Sequence, residues 1–345
     1  MFRRCGRLPP AVNFPNRPAL LPLLQRDAMP TSAPRLPHDK YEALIARARQ
    51  MPPTPTVVAH PCDEASLRGA CEAAEQGLIE PILVGPLARM RAAAEAAALD
   101  IGRFEQVDAA HSVDSAAAAV GLVRAGRAAL LMKGSLHTDE VLAQVTARDT
   151  GLRTGRRISH VFVMDVPAYP TTLFITDAAV NIFPDLADKR DIIQNAIDLH
   201  VGLGLGTPRV AILSAVETVT QKIPSTIEAA ALCKMADRGQ ISGGLLEGPL
   251  ALDNAINEEA ARIKGIVSPV AGRAQILVAP DLEAGNMLAK NLTFLAGADA
   301  AGIVLGARVP LILTSRADNL RTRLASCAVA ALYAQSLALG HPLGH

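Results

Sequence analysis

The chain has 345 residues, half of them hydrophobic but only 3% aromatic and none Trp, and its 34 Lys and Arg nearly cancel its 33 Asp and Glu to leave a net charge of +1. That balance excludes a global field for nucleic acid or an anionic membrane, and scarce aromatics argue against base stacking. Five cysteines without a C-x-x-C pair fit a reducing cytoplasm, and no apolar stretch is long enough to span a bilayer.

Residues 1–28 stand apart. They carry Arg3, Arg4, Arg7, Arg17 and Arg26 against a single acid, Asp27, and prolines break any helix. They suit neither a secretory signal nor an amphipathic transit helix, and read as a disordered arm or as a start assigned too early, with Met29 as the true one. From there the spacing predicts a helix over 39–50, a strand over 56–60 and a helix over 63–76 with Asp63 as N-cap. A strand at 81–85 (PILVG), an Ala-rich helix at 87–99, a strand at 104–107, a helix at 112–124 and a strand at 128–132 (AALLM) follow. Strand and helix alternating through short joints predict a doubly wound α/β sheet.

Near residue 150 the pattern changes. RISHVFVMDV (157–166) and 173–176 read as an antiparallel or edge pair across a Pro-rich link. A long helix over 185–203 and a strand over 208–216 come next, then helices over 226–238 and 253–264. A strand at 274–280, a helix at 283–296 and strands at 301–306 and 309–315 resume the alternation, and a helix at 320–339 closes the chain. The change near 150 predicts a second α/β domain. Gly202, Gly204 and Gly206 follow a helix rather than a strand, so they read as a helix stop and turn, not as a dinucleotide loop.

The chain has no Walker loop, H-E-x-x-H, G-x-S-x-G or zinc-type cysteine ladder, and its eight histidines offer no i, i+4 ligand pair, so no metal is required. Four segments place polar residues or glycines just after predicted strands, where open α/β sheets bind ligands. They are MKGSLHTDE (132–140), SPVAG (268–272), PDLEAGN (280–286) and LTSRADN (313–319). In the first, Gly134 lets backbone amides approach an anion and Lys133 supplies charge, while Ser135, His137 or Thr138 caps the helix that follows, whose positive end also attracts anions. Simple capping with a solvated Lys133 is the plainer alternative. In PDLEAGN, Gly285-Asn286 lies in the first helical turn, where Gly costs about 1 kcal/mol against Ala, which points to close approach by a ligand or another helix. In LTSRADN, Arg316 offers a planar fork for phosphate or carboxylate, Ser315 a donor for a developing oxyanion, and Asp318 a nearby acid. Ser315 or Asp318 as a helix cap, with Arg316 on the surface, is the bland counterpart.

At these segments the chain resembles the phosphate acetyltransferase/phosphate butyryltransferase family. The resemblance runs from about Thr56 to the C-terminus. It rests on MKGSLHTD, SHVFVMDVP, TDAAVNIFPDL, PRVAILSAVE, KMADRGQISGG, EGPLALDNAI, SPVAG, PDLEAGNMLAK and VPLILTSRAD. It implies a two-domain α/β fold of the isocitrate/isopropylmalate dehydrogenase-like type with an active cleft between the domains. The first domain takes 29–150 plus 305–345, and the second is the insert 151–304. It implies a homodimer whose partners are acyl-CoA, CoA and phosphate, with no cofactor beyond these substrates. It also implies direct acyl transfer between CoA thiol and phosphate in a ternary complex, without an acyl-enzyme. The family's Ser-Arg pair falls on Ser315-Arg316: Arg316 would neutralise phosphate and Ser315 would steady charge at the reacting carbonyl. Lys133, Gly134, His137, Thr138, Gly285 and Asn286 would contact phosphate or CoA.

There are departures. Where the acetyltransferases place a catalytic aspartate seven positions after the serine, this chain has Thr322, which leaves Asp318 as the candidate base for the thiol. A second family arginine is replaced in the Val141-Leu142-Ala143 region, with Lys133 as a substitute charge. Arg273 stands where an acid is common, and either adds phosphate affinity or faces solvent. Cys327 reads as core. Two other functions compete: a nucleotide-dependent dehydrogenase of the same fold, for which no cluster of metal-binding aspartates can be assembled, and a non-catalytic phosphotransacetylase-like regulatory module.

Overall fold

A computed structural model of the protein describes residues 38–313 and 319–340. The chain opens with α1 (Asp39–Ala48), β1 (Thr54–Ala59), α2 (Glu64–Glu75), β2 (Ile79–Gly85), α3 (Leu87–Ala96), β3 (Glu105–Asp108), α4 (Ser112–Arg124), β4 (Leu130–Lys133) and α5 (Thr138–Thr146). It continues through β5 (Ser159–Asp165), β6 (Leu173–Thr176), α6 (Leu186–Gly202), β7 (Arg209–Leu213), α7 (Pro224–Asp237), β8 (Leu245–Leu250), α8 (Leu252–Ile256) and α9 (Glu258–Ile263). It ends with β9 (Ile276–Val278), α10 (Leu282–Leu295), β10 (Asp299–Leu305), β11 (Leu311–Ile312) and α11 (Leu320–Ala338).

The described strands form one sheet in the order β3-β2-β1-β4-β11-β10-β5-β6-β9-β7-β8. On one side β3, β2, β1, β4 and β11 are parallel, and on the other β6, β9, β7 and β8 are parallel. Between them β11, β10, β5 and β6 pair antiparallel in succession, so the two parallel halves run in opposite directions. The α/β sheet expected from the alternation is present as a mixed sheet, and the strands expected as an antiparallel or edge pair are the antiparallel neighbours β5 and β6. Buried Val, Leu and Ile on both faces, such as Val57, Val58, Leu130 and Leu131, explain why these strands read as continuous apolar runs.

Helix ends follow local chemistry. Asp63, Asp185, Asn257, Asp281 and Asn319 each accept the backbone N–H three residues on, which satisfies a helix donor that would otherwise lack a partner. After α6 the chain turns through Gly204 and Gly206 at φ 67° and 82°, the left-handed conformation that favours Gly. Helix α11 is sheathed: Cys327, Ala328, Val329 and Ala330 are fully buried, as its apolar sequence requires.

Three details differ from the sequence reading. The helix expected over 253–264 is two helices, because Asn257 is extended (φ −129°, ψ 115°) and caps the second. The strands near 301–306 and 309–315 are antiparallel neighbours, and the second begins at Leu311 rather than at 309, with Leu311–Ile312 its described strand residues. Strand β8 was not foreseen, because Gly248-Pro249 disguises it. It tolerates proline at the edge of the described sheet, where β7 is its one partner among the described strands.

Candidate active site

A hollow of about 640 Å³ opens where strand direction reverses. Side chains alternate faces along a strand, so His160 and Phe162 of β5 share a face, as do Ala300 and Gly302 of β10. Register sets Val304 opposite His160 and Gly302 opposite Phe162. All four face residues line the hollow. From the first half come Lys133 at the end of β4 and His137 and Thr138 at the start of α5. From the second come Ala179 and Val180 after β6, and Asn286, Ala289, Lys290 and Thr293 along α10.

The β4–α5 loop is built against the end of β1. The Gly134 amide donates to the Ala59 carbonyl at 2.8 Å, and the Ser135 amide to that of His60 at 2.9 Å. A Cβ at 134 would lie 2.5 Å from one of these oxygens and 2.6 Å from the other. Gly134 is therefore required by the approach of its own chain, and its amide is committed inside the protein. Of the backbone amides expected to meet an anion near Gly134, those of Gly134 and Ser135 are paired with protein carbonyls. Lys133 is buried rather than solvated, and its Nζ donates to the carbonyls of Gly134 (3.2 Å) and Leu136 (3.1 Å). It thereby braces the loop while lining the hollow. His137 is the N-cap of α5, and its amide donates to Glu140 Oε2 at 2.8 Å. The Ser112 hydroxyl and that amide hold the Glu140 carboxyl below its usual range.

Across the hollow, the buried Asp177 carboxylate organises the turn after β6. It accepts the amides of Ala179 (2.9 Å) and Val180 (3.0 Å) on Oδ1, and the Asn181 side chain (2.6 Å) and His160 amide (3.2 Å) on Oδ2. Asn286 Nδ2 donates to the Ala178 carbonyl at 3.0 Å, which locks α10 to this turn. Gly285 fits against the same turn, and its amide donates to Asp281 at 3.1 Å. The close approach expected at Gly285 is thus by protein backbone, not by a ligand; Asn286 lines the hollow and Gly285 does not.

His160 went unassigned in the sequence reading. It is 3% exposed, its ring stands edge-on to Phe162 with centroids 4.4 Å apart, and burial, opposed by Asp177, pushes its pKa down to about 4. The period-two pattern of SHVF was the signal that could have placed His160 and Phe162 on one face. Lys290 and Thr322 also line the hollow without having been selected as site residues.

Ser315, Arg316 and Asp318 lie outside the described residues. Leu313 and Asn319, on either side of that stretch, line the hollow, and Asn319 Oδ1 caps α11 by accepting the Thr322 amide at 2.8 Å. SPVAG does not reach the hollow: Ser268 Oγ accepts the Val270 amide at 3.1 Å, and Arg273 faces solvent, paired with Glu258 at 2.6 Å. Cys327 is core, its thiol pushed up to about 12 by burial. No metal-type cluster of three His, Cys, Asp or Glu occurs among the described residues. Nor is any helix there long and apolar enough to cross a membrane.

Several of the segments that carry the sequence resemblance converge on this hollow, and residues 103–331 match the family profile described as "Phosphate acetyl/butaryl transferase". The chain belongs to the phosphate acetyl/butyryl transferase family. It is an acyltransferase by that membership. It is 75% identical over 295 residues to a phosphate acetyltransferase of Rhizobium meliloti, a match that covers 86% of this chain and 93% of the relative. A phosphate butyryltransferase of Clostridium beijerinckii is 42% identical over 294 residues, covering 85% and 97%. Among solved structures, a branched-chain phosphotransacylase from Enterococcus faecalis V583 superposes with a TM-score of 0.72 at 29% identity, over 81% of this chain and 99% of that one.

Proposed function

We propose that the protein transfers a short acyl group directly between CoA and inorganic phosphate, within the hollow between the two halves of the sheet. One observation carries this reading: family segments from five parts of the chain wall a single hollow, namely MKGSLHTD, SHVF, TDAAVN, GNMLAK and the flanks of TSRAD. A phosphate oxygen attacks the thioester carbonyl, the C–S bond breaks, and the departing thiolate takes a proton. In reverse, a base removes the thiol proton, whose ordinary pKa is about 8.5. No nucleophilic side chain enters the scheme, so both substrates are bound together when the acyl group moves.

Within this reading Arg316 neutralises phosphate, Ser315 steadies charge at the reacting carbonyl and Asp318 receives the thiol proton. Support for these roles is the family Ser-Arg pairing and the position of Leu313 and Asn319 on the hollow. Lys133 adds positive charge to the same space, and His137, Thr138 and Asn286 border it. We read the two parallel halves as the two domains of an isocitrate/isopropylmalate dehydrogenase-like fold, divided at 151–304, with the hollow as their cleft, and the working unit as a cytoplasmic homodimer.

The test is phosphate-dependent release of CoA from acetyl-, propionyl- and butyryl-CoA, with the acyl phosphate trapped as its hydroxamate. The reading expects one acyl phosphate for each CoA released, and an Arg316→Ala variant with a raised KM for phosphate and lower turnover. CoA release that is independent of phosphate, or a labelled acyl-enzyme, would refute it.

A further inference from the structure

His160 is the buried titratable group on the hollow that the proposed scheme leaves unused. Its Nδ1 is sealed from solvent and has no hydrogen-bond partner. The ring nevertheless lines the hollow, so it reaches that space by its other edge, which carries Nε2. The residue opposite Phe162 on the next strand is Gly302, and a Cβ there would lie 3.0 Å from Nε2. Gly302 thus keeps the Nε2 edge uncovered.

The tautomer follows from these surroundings. A buried N–H with no acceptor is costlier than a lone pair with no donor. With nothing to accept at Nδ1, the single proton of a neutral imidazole belongs on Nε2. The ring is held neutral, since burial outweighs the opposing charge of Asp177, which meets His160 from the turn after β6. A neutral imidazole so placed is a fixed donor and a poor base.

We infer that His160 donates a hydrogen bond from Nε2 to the carbonyl oxygen of the bound thioester, and strengthens that bond as the oxygen becomes an oxyanion. The inference rests on the reading of the hollow as the acyl-transfer site. A neutral donor suits this oxygen because it adds no full charge to compete for phosphate. A role confined to packing would leave the proton position and the turnover insensitive to donor chemistry.

The test compares the wild type with His160→Leu, which removes the donor, and His160→Gln, whose amide nitrogen falls near Nε2. Turnover should fall by about 100-fold in H160L while KM for phosphate stays within about threefold, and H160Q should recover about a tenth or more of the wild-type rate. Nitrogen-15 NMR of the histidine-labelled wild type should place the proton of His160 on Nε2, a measurement that needs no folded variant. A proton on Nδ1, or an H160L enzyme with wild-type turnover, overturns the inference alone. A wild type without phosphate-dependent CoA release overturns the functional reading and the inference with it.

Discussion

Gly285 approaches the carbonyl oxygen of Asp177 so closely that a methyl group at 285 would lie 2.6 Å from that oxygen. This contact sets the start of α10 against the turn that carries Ala179 and Val180 into the hollow. Neither backbone can yield without disturbing the Asp177 network. Gly285→Ala should therefore destabilise the protein by about 2 kcal/mol despite the helical advantage of Ala, and urea unfolding would register the loss. Unchanged or increased stability would mean that the turn gives way freely.

His200 provides a pH prediction. Burial pushes its pKa down to about 4 against a weaker opposing effect of the Gly206 carbonyl, 2.9 Å from Nδ1. Above pH 6.5 the ring is neutral in both folded and unfolded chains, and stability is unaffected. As pH falls from 6.5 to about 4 the unfolded chain takes up the proton first, so stability is lost across that window, by roughly 3 kcal/mol for this group. His160 acts in the same direction. Urea midpoints measured from pH 7 to 4.5 should decline, and a His200→Gln variant should decline less steeply. A flat profile in the wild type would contradict the burial argument.

Lys133 joins fold and site. Its Nζ holds two loop carbonyls and its side chain lines the hollow. Lys133→Met should raise KM for phosphate by about tenfold through loss of a nearby positive charge. It should also cost about 1–3 kcal/mol of stability, because buried carbonyls lose a donor. Initial-rate kinetics and thermal unfolding separate the two effects. A stability loss with unchanged phosphate kinetics would reduce Lys133 to a brace.

Much of this architecture was legible in local chemistry. Asp63 marks where α2 begins because cap and apolar periodicity agree there. The adjacency of β5 and β6 was legible as an antiparallel or edge pair across a Pro-rich link, and the link is too short for a crossover helix. Glycines were harder. The residue type at 134 and 285 announces close approach, but not what approaches. At 285 the answer lies far off in sequence, as with Asn286 and Ala178, 108 positions apart. His160 was missed for a related reason: SHVF reads as an ordinary buried strand until β10 places Gly302 beside it. The reversal of strand direction that creates the hollow depends on pairing between β5 and β10, which no local signal encodes.

The central claim is that acyl transfer takes place in the hollow between the halves of the sheet. Thr293 faces it from α10, half-buried, with its hydroxyl bonded to the Ala289 carbonyl at 3.0 Å. Thr293→Trp would set a bulky ring into the space from the helix surface without opening the core. The decisive measurement is the rate of phosphate-dependent CoA release by this variant beside the wild type, both checked for the same unfolding temperature. The account predicts a fall of about 100-fold or more in a protein that remains folded. An undiminished rate with the ring in place would put the reaction elsewhere.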